Sequence, residues 1–298
     1  MTKEELKEIA SKIREEAQAM TPACTEFLRS LIRVPAESCG EGSRIARIKE
    51  EMDAGGFDKV EVDELGSIVG QVGEGETCLA YDGHIDQVGV GDPDAWKIDP
   101  FEAILKDGII YGRGASDQLG GFVASVYGAK VLEKLGLSRK NGMRLAVVGS
   151  VMEEDCDGLC WRHLIEEYGL KPDMVVLTEP TSLRINRGQR GRIELKVTTN
   201  GRSCHASMPH LGDNAIYKMA PLISEIEALG DRLPEDEFLG KGTVVISKVE
   251  STSPSLNAVS DSCTLYLDRR VIPSDTHEST LKEISSLPSF ESVGASVE

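Results

Sequence analysis

The sequence predicts an α/β fold, a mostly parallel sheet with flanking helices, followed by a small α+β domain. Up to residue 180, buried apolar runs alternate with helical patterns, which is typical of a parallel sheet covered by helices. The buried runs are 77–81, 143–152 and 173–177. Beyond residue 190, strands with alternating polarity and two helices follow in the order β-α-β-β-α-β, which is that of a ferredoxin-like sandwich.

The boundary between the two parts lies near residues 187–190, where the pattern of the chain changes. We therefore predict two domains, at residues 1–187 and 188–298.

Helices and strands of the first domain follow from apolar periodicity and turn residues. Thr2 and Glu5 have the spacing of a capping box at the start of an amphipathic segment. Thr21 and Pro22 predict an interruption before a second helix that ends at Val34. The remaining predicted elements are a helix at 43–52, strands at 59–64 and 67–72, a hairpin at 101–111, and helices at 121–135 and 159–168.

The second domain alternates more regularly than the first. Residues 192–198 alternate strictly between polar and apolar side chains, which predicts a half-exposed strand. The elements that follow it are a helix at 214–229, strands at 243–250 and 263–269, a helix at 276–286 and a last strand from residue 289.

Composition excludes several classes of partner. The chain has 298 residues and a formal net charge of -17, which argues against nucleic acid and against an anionic membrane. Residues 1–20 are charged throughout, and no apolar run is long enough to cross a bilayer. Seven scattered cysteines without a secretion signal predict free thiols and a cytoplasmic location.

Acidic and histidine side chains follow the buried strands where those strands end, or open the next helix. In chain order they are His84, Asp86, Asp117, Glu153, Glu154 and Glu179. Because the carboxyl ends of parallel strands share one edge of a sheet, we expect these side chains to meet. One histidine among several carboxylates would need cations to offset their repulsion, and this donor set suits zinc, cobalt or manganese.

The spacing of these residues suggests which of them bind metal, which orient a ligand and which exchange protons. If His84 and Asp86 are both extended they share a face, so Asp86 can hold one imidazole nitrogen while the other binds a metal. In a continued strand Glu153 and Glu154 would point opposite ways, so one could bind metal and the other exchange a proton with a bound water. Simpler interpretations stay open: a polar turn for His-x-Asp, and an acidic helix N-terminus for 153–155.

Several segments resemble, in order and spacing, the dinuclear-zinc metallopeptidase and deacylase family, which includes succinyl-diaminopimelate desuccinylase, acetylornithine deacetylase and the glutamate carboxypeptidases. Four of them would carry metal ligands, and two resemble the start of that family's lid domain. They are 83–86, 112–117, 153–154 and 178–180, and 204–207 with 212–215. The segments 153–161 and 186–193 most resemble a subgroup of predicted hydrolases linked to selenium metabolism.

The resemblance implies a zinc-exopeptidase-like sheet, two divalent metal ions and a homodimer formed through the lid. It assigns His84 and Glu179 to one metal, Glu154 to the second, and Asp117 to both as a bridge. Asp86 would orient His84.

The resemblance also implies catalytic and substrate roles. Glu153 would act as general base and then as acid toward the leaving amine. His205 would reach the partner subunit's site and stabilise the developing oxyanion. Asn257 and Arg270 would contact a substrate carboxylate, although Arg270 fits a surface ion pair nearly as well.

Two departures from the family's pattern bear on specificity. Gln87 stands where relatives often carry Thr or Val, and Leu119 stands where many carry Lys. A larger departure is that the chain ends at Glu298, whereas the family continues with a last histidine ligand. Neither His210 nor His277 matches that ligand, so the sequence indicates a missing C-terminal part.

The predicted function is hydrolysis of an amide or peptide bond in a small carboxylate-bearing substrate, an N-acyl amino acid or a peptide, by a metal-bound hydroxide. The alternative is a truncated, non-catalytic protein that binds metal or dimerises. A competing zinc site at Cys156, Cys160 and His163 lacks a convincing fourth ligand, and these thiols fit a core-facing helix better.

Overall fold

The structure is a computed structural model that describes residues 2–139, 142–156 and 158–298. The chain divides into two compact units, Met1–Arg184 and Ile185–Glu298. Within the described residues, none of the helices combines the length and the apolar character that crossing a membrane requires.

The first unit begins with one long helix where the sequence predicts two. The helices of this unit are α1 (Lys3–Ile32), α2 (Gly42–Asp53), α3 (Gly120–Lys134) and α4 (Leu159–Glu166). The capping box of Thr2 and Glu5 is present, but Pro22 lies inside α1 and does not end it. Pro22 is exposed, and the buried side chains of Phe27 and Leu31 anchor the turns that follow it. Packing therefore outweighs the hydrogen bond that proline removes.

The strands of this unit form a mixed sheet and a separate hairpin. The sheet contains β1 (Lys59–Val62), β2 (Ile68–Val72), β3 (Thr77–His84), β6 (Met143–Ser150) and β7 (Met174–Leu177), and the hairpin β4 (Ile104–Lys106) and β5 (Ile109–Tyr111). The strand order is β1-β2-β6-β3-β7. Strands β6, β3 and β7 are parallel, whereas β1 and β2 add an antiparallel edge. His84 pairs with Ser150, so β3 and β6 end together.

Apolar clusters cover both faces of the sheet, as expected for strands that are buried on both sides. Val147 packs with Phe27, Ile48 and Phe122 from helices α1 to α3. Its neighbour Val148 belongs to another cluster, with Leu164 of α4. Because consecutive strand residues face opposite ways, α4 lies on the other side of the sheet.

A polar cluster ties α2 to α3. Glu51 is only 16 % exposed and accepts hydrogen bonds from Lys130 Nζ at 2.6 Å, Arg47 Nη2 at 2.8 Å and Tyr127 Oη at 2.9 Å. Burial acts to raise the pKa of Glu51, but these hydrogen bonds outweigh it and hold the pKa below the ordinary value of 4.5.

We expect Glu51→Gln to lower the free energy of unfolding by about 1–3 kcal/mol at pH 7, because three donors lose a charged acceptor. A depressed carboxyl pKa stabilises the fold above the unfolded-state pKa and stops doing so as pH falls through the folded-state value. Urea unfolding at pH 7 and at pH 3.5 would therefore give a large difference between wild type and variant at neutral pH and a smaller one in acid. The exposed neighbour Glu50, changed to Gln, is the control, and equal losses in the two variants would contradict the prediction.

The second unit is a sheet with helices packed on it. Its elements are β8 (Gly191–Asn200), α5 (Ala215–Gly230), β9 (Glu235–Asp236), β10 (Gly240–Lys241), β11 (Thr243–Thr252), β12 (Ser262–Val271), α6 (His277–Ser285) and β13 (Ser296–Val297). Four strands form an antiparallel sheet in the order β11-β12-β8-β13. Met219 of α5 and Ile284 of α6 pack with Val197 and Leu265 of the sheet. This is the predicted ferredoxin-like arrangement, and the predicted fold class is confirmed.

Candidate metal centre

His84 lies at the centre of the acidic cluster, at the end of β3, and is 1 % exposed. Its Nε2 atom is 3.0 Å from Asp117 Oδ1, 3.8 Å from Glu153 Oε2 and 3.9 Å from Glu179 Oε1. Its Nδ1 atom is 3.2 Å from Asp86 Oδ1. One ring nitrogen therefore faces Asp86, as the His-x-Asp spacing predicts, and the other faces the carboxylates that follow neighbouring elements.

Asp86 is fully buried and connects His84 to the loop after β6. Its carboxylate accepts hydrogen bonds from Ser38 Oγ at 2.7 Å and from the backbone amides of Glu153 and Glu154 at 3.2 and 3.1 Å. The same side chain thus orients the imidazole and positions the two glutamates relative to it.

Glu153 and Glu154 do not follow the predicted alternation. Strand β6 ends at Ser150, and Met152 has a positive φ of 57°, so the chain turns before it reaches the glutamates. Glu153 approaches His84, and Glu154 offers an oxygen that lies within 4.8 Å of the ligand atoms of His84 and Asp117. Both carboxylates therefore reach the same cluster.

Asp117 follows the glycine-rich turn that opens α3, in which Gly114 has a φ of 77°. The next residue, Gln118, is 2 % exposed and bridges this turn to the loop after β7. Its Nε2 donates to Glu179, and its Oε1 accepts from Thr178 Oγ1 at 2.8 Å. Gln118 therefore positions Glu179 beside the turn that carries Asp117.

Burial and mutual repulsion shift the pKa values of the cluster. Burial lowers the pKa of His84, but hydrogen bonds to Asp86 and Asp117 outweigh it and raise the pKa to about 10. Burial raises the pKa of Glu154 and of Glu179, the charge of His84 opposes this, and the Asp117 carboxylate adds to it. Crowded carboxylates of this kind gain from a bound cation.

The donor set fits divalent metal ions. His84, Asp117 and Glu154 offer one imidazole nitrogen and two carboxylate oxygens within 4.8 Å of one another, and Glu179 adds a third carboxylate near His84. Zinc, cobalt and manganese all accept imidazole and carboxylate ligands. These four are the metal-ligand candidates that the sequence predicts, and the structure brings them together.

The second zinc site considered from the sequence, at Cys156, Cys160 and His163, lies near α4. His163 Nδ1 is 3.2 Å from Asp63 Oδ2, and burial raises the pKa of Cys160 to about 12. Cys156 is exposed. Across the described ranges, which leave out residue 157, the only candidate metal group is the one around His84.

The predicted substrate residues lie in the second unit. His205 Nδ1 accepts a hydrogen bond from the backbone amide of Ser207 at 3.2 Å, so the neutral ring carries its proton on Nε2. The backbone of Asn257 accepts from Ala206 at 2.7 Å, which brings the segments of His205 and Asn257 together. Arg270 Nε instead donates to Asp268 at 2.9 Å, the ion-pair arrangement that the sequence left open.

The sequence analysis did not identify three residues that position the cluster: Ser38, Arg44 and Gln118. Arg44 is completely buried and donates to the backbone carbonyls of Val34 and Ile85. A signal for it exists, because Arg44 shares a four-residue spacing with the buried Ile48 and Met52 of α2. Ser38 and Gln118 lie in irregular segments, where periodicity carries no information.

Comparison with known proteins finds a matching domain family and several similar sequences. Residues 187–293 match the peptidase dimerisation domain M20_dimer. The chain is 47% identical over 285 residues to the uncharacterized protein YgeY of Escherichia coli K12, covering 96% of this chain and 70% of YgeY. It is 28% identical over 261 residues to succinyl-diaminopimelate desuccinylase 2 of Ruegeria sp. TM1040, covering 82% of this chain and 64% of that protein.

A solved structure shows the same fold. The di-peptidase Dug1p of Saccharomyces cerevisiae superposes with a TM-score of 0.76 at 15% identity, covering 97% of this chain and 78% of Dug1p. At that identity the likeness shows the fold alone. The domain match and the 47% identity to YgeY show that the chain belongs to the M20 peptidase family. The family resemblance that the sequence motifs carry is thereby confirmed.

Proposed function

We propose that this chain is a metal-dependent hydrolase of the deacylase or exopeptidase type, which cleaves an amide or peptide bond in a small carboxylate-bearing molecule. The observation that carries the proposal is the meeting of His84, Asp117, Glu154 and Glu179 at one edge of the sheet. The names of relatives support it: removing a succinyl group from an amine and splitting a dipeptide both break an amide bond.

The four clustered residues would hold two divalent cations, zinc or else cobalt or manganese, and Asp117 would be a ligand shared by both. Bound there, the cations would supply Lewis-acid polarisation of the scissile carbonyl and a water acidic enough to act at neutral pH. Asp86 keeps the imidazole of His84 oriented toward them through Nδ1.

Glu153 is the general base in this proposal. Its carboxylate is 35 % exposed and lies 3.8 Å from His84 Nε2. A carboxylate in that position can accept a proton from the attacking water and return it to the leaving amine.

Residues of the second unit would recognise the substrate. His205 carries its proton on Nε2, so it can donate to the oxyanion that forms in the transition state of the partner subunit's site. Asn257 and Arg270 would bind the substrate's carboxylate. Because Arg270 pairs with Asp268 in this structure, the substrate would have to compete with that carboxylate.

We also propose a homodimer formed through β11 and α5. Strand β11 is the edge of its sheet, and Val245 and Val249 on it are 56 % and 60 % exposed. Ile216 and Tyr217 of α5 are exposed as well. An apolar edge strand readily pairs with a second copy, and the match to a dimerisation domain supports this.

Placing a charge on this edge is expected to halve the molar mass in solution. Val249→Lys introduces a lysine where two copies would meet, and edge lysines oppose strand pairing. Size-exclusion chromatography with light scattering measures the mass, and Val62→Lys on β1, an exposed edge position of the other unit, is the control. A wild type that is already monomeric would contradict both the dimer and the role of His205 in the partner's site.

A cytoplasmic location is part of the proposal. All seven cysteines are free thiols in the structure, including the exposed Cys39 and Cys156, which suits a reducing compartment.

The proposal is tested by metal analysis and turnover. We expect purified protein to bind divalent metal and to hydrolyse at least one member of a panel of N-acyl amino acids and dipeptides. A chelator should abolish that activity, and zinc, cobalt or manganese should restore it. Metal binding without turnover on any member would favour the alternative of a non-catalytic metal-binding or dimerisation protein.

A further inference from the structure

A small cleft of about 170 Å³ lies beside the metal centre. Backbone of the glycine-rich turn lines one part of it, and the proposed ligands Asp117 and Glu154 line another. Gln87 also lines this cleft and is 2 % exposed, yet neither metal binding nor proton transfer uses it. A buried amide is normally hydrogen-bonded through both its oxygen and its NH2 group, so the partners of Gln87 indicate its role.

The orientation of the Gln87 amide follows from its neighbour. Arg44 Nη2 donates to Gln87 Oε1 at 2.7 Å, and a guanidinium can only donate, so the NH2 group of Gln87 faces away from Arg44. Arg44 is itself fully buried and anchored on the carbonyls of Val34 and Ile85. The amide is also packed closely, because a Cβ atom at Gly114 would lie 3.2 Å from Gln87 Oε1.

Two of the residues that line the cleft carry a buried donor without a partner. Gln87 Nε2 is buried and has no hydrogen-bond partner among the residues that the structure describes. Arg113 lines the same cleft, with its guanidinium over the Trp96 ring, and its Nε is likewise buried with no partner in the described part of the chain. Buried donors are normally paired, and two of them at one cleft call for a ligand with oxygen acceptors.

We propose that Gln87 is a specificity-determining residue that donates from Nε2 to a carbonyl or carboxylate oxygen of the substrate bound beside the metal ligands. The inference rests on the proposed hydrolase function and adds to it the hydrogen-bond acceptor that the substrate presents at this cleft. An uncharged donor of fixed direction selects for the position of an oxygen more than for its charge.

Two variants distinguish the effect of the Nε2 donor of Gln87 from the effect of its contact with Arg44. Gln87→Met removes both the donor and the acceptor for Arg44. Gln87→Glu keeps an acceptor for Arg44 and removes the donor, and it adds a negative charge. Gln71→Met, a half-buried glutamine of β2, is the control. The measurements are metal content, kcat and KM on the N-acyl amino acid and dipeptide panel, and calorimetric titration of the zinc-loaded proteins with the same compounds.

We expect both Gln87 variants, at unchanged metal content, to lose about 2- to 13-fold in kcat/KM or in binding, the range for one neutral hydrogen bond, and more where the acceptor is an ionised carboxylate. A rise in KM alone identifies a ground-state oxygen such as the substrate's carboxylate, and a fall in kcat alone identifies the oxygen of the reacting carbonyl. Turnover that is equal in wild type and both variants overturns the inference and leaves the hydrolase standing.

Each of the remaining outcomes supports or overturns the inference about Gln87 or the proposed hydrolase function. Loss in Gln87→Met but not in Gln87→Glu overturns the inference, because it assigns the effect to the contact with Arg44. Binding that depends on Gln87 without turnover supports the inference as a ligand contact and overturns the hydrolase. If the wild type neither binds nor hydrolyses any compound of the panel, the result counts against the inference and against the hydrolase function.

Discussion

Glu153→Gln is expected to lower kcat by about 10²- to 10⁴-fold on any substrate that the wild type hydrolyses, the range that a positioned general base contributes. Glutamine keeps the shape of the side chain but cannot take up a proton. The carboxylate lies 3.8 Å from His84 Nε2 and is held in place because the backbone amide of Glu153 donates to Asp86. The amide substitution leaves that backbone contact intact, so metal content should not change.

The measurement is steady-state hydrolysis alongside metal analysis of the same preparations. Asp155→Asn is the matched control, since it removes an exposed carboxylate two positions further along the same loop. Equal activity of Glu153→Gln and wild type would remove Glu153 from the mechanism. Loss of metal together with activity would instead make Glu153 a ligand.

Asp117→Asn is expected to weaken divalent-metal binding by about 100-fold or more, at least the loss seen when groups that support metal ligands are removed. Asp117 Oδ1 is 3.0 Å from His84 Nε2 and shares the cluster with Glu154, so its carboxylate would serve as a ligand in the proposed centre. An amide offers a neutral oxygen and no charge to balance a dication.

Thermal unfolding with and without zinc measures this effect, because a ligand at 100 times its Kd adds about 2.7 kcal/mol to the folded state. Wild type should gain stability with zinc, and Asp117→Asn should gain little. Asp107→Asn is the control: Asp107 is an exposed carboxylate of the β4–β5 turn at a φ of 53°, which asparagine also tolerates. A zinc-induced gain in Asp117→Asn as large as in wild type would rule Asp117 out as a ligand.

Local patterns predicted most helices and strands of this protein, and they failed at two places. The hairpin around Asp107 and the order of the main elements along the second unit follow from turn residues and alternation. The predicted break at Pro22 is wrong, since burial of Phe27 and Leu31 keeps α1 continuous. The continued strand on which the opposed arrangement of Glu153 and Glu154 depended is absent there, because β6 ends at Ser150.

By itself, the sequence determined the fold class, which depends on periodicity, and the membership of the acidic cluster, which depends on the residues that follow buried strands. The family came from the resemblance of its motifs in order and spacing. Only the tertiary structure decided which groups orient the side chains in and beside that cluster: Ser38 contacts Asp86, Gln118 contacts Glu179, and Arg44 contacts Gln87. Each of these contacts joins segments that are at least 43 residues apart. Such contacts arise from chain packing, and no local pattern encodes them.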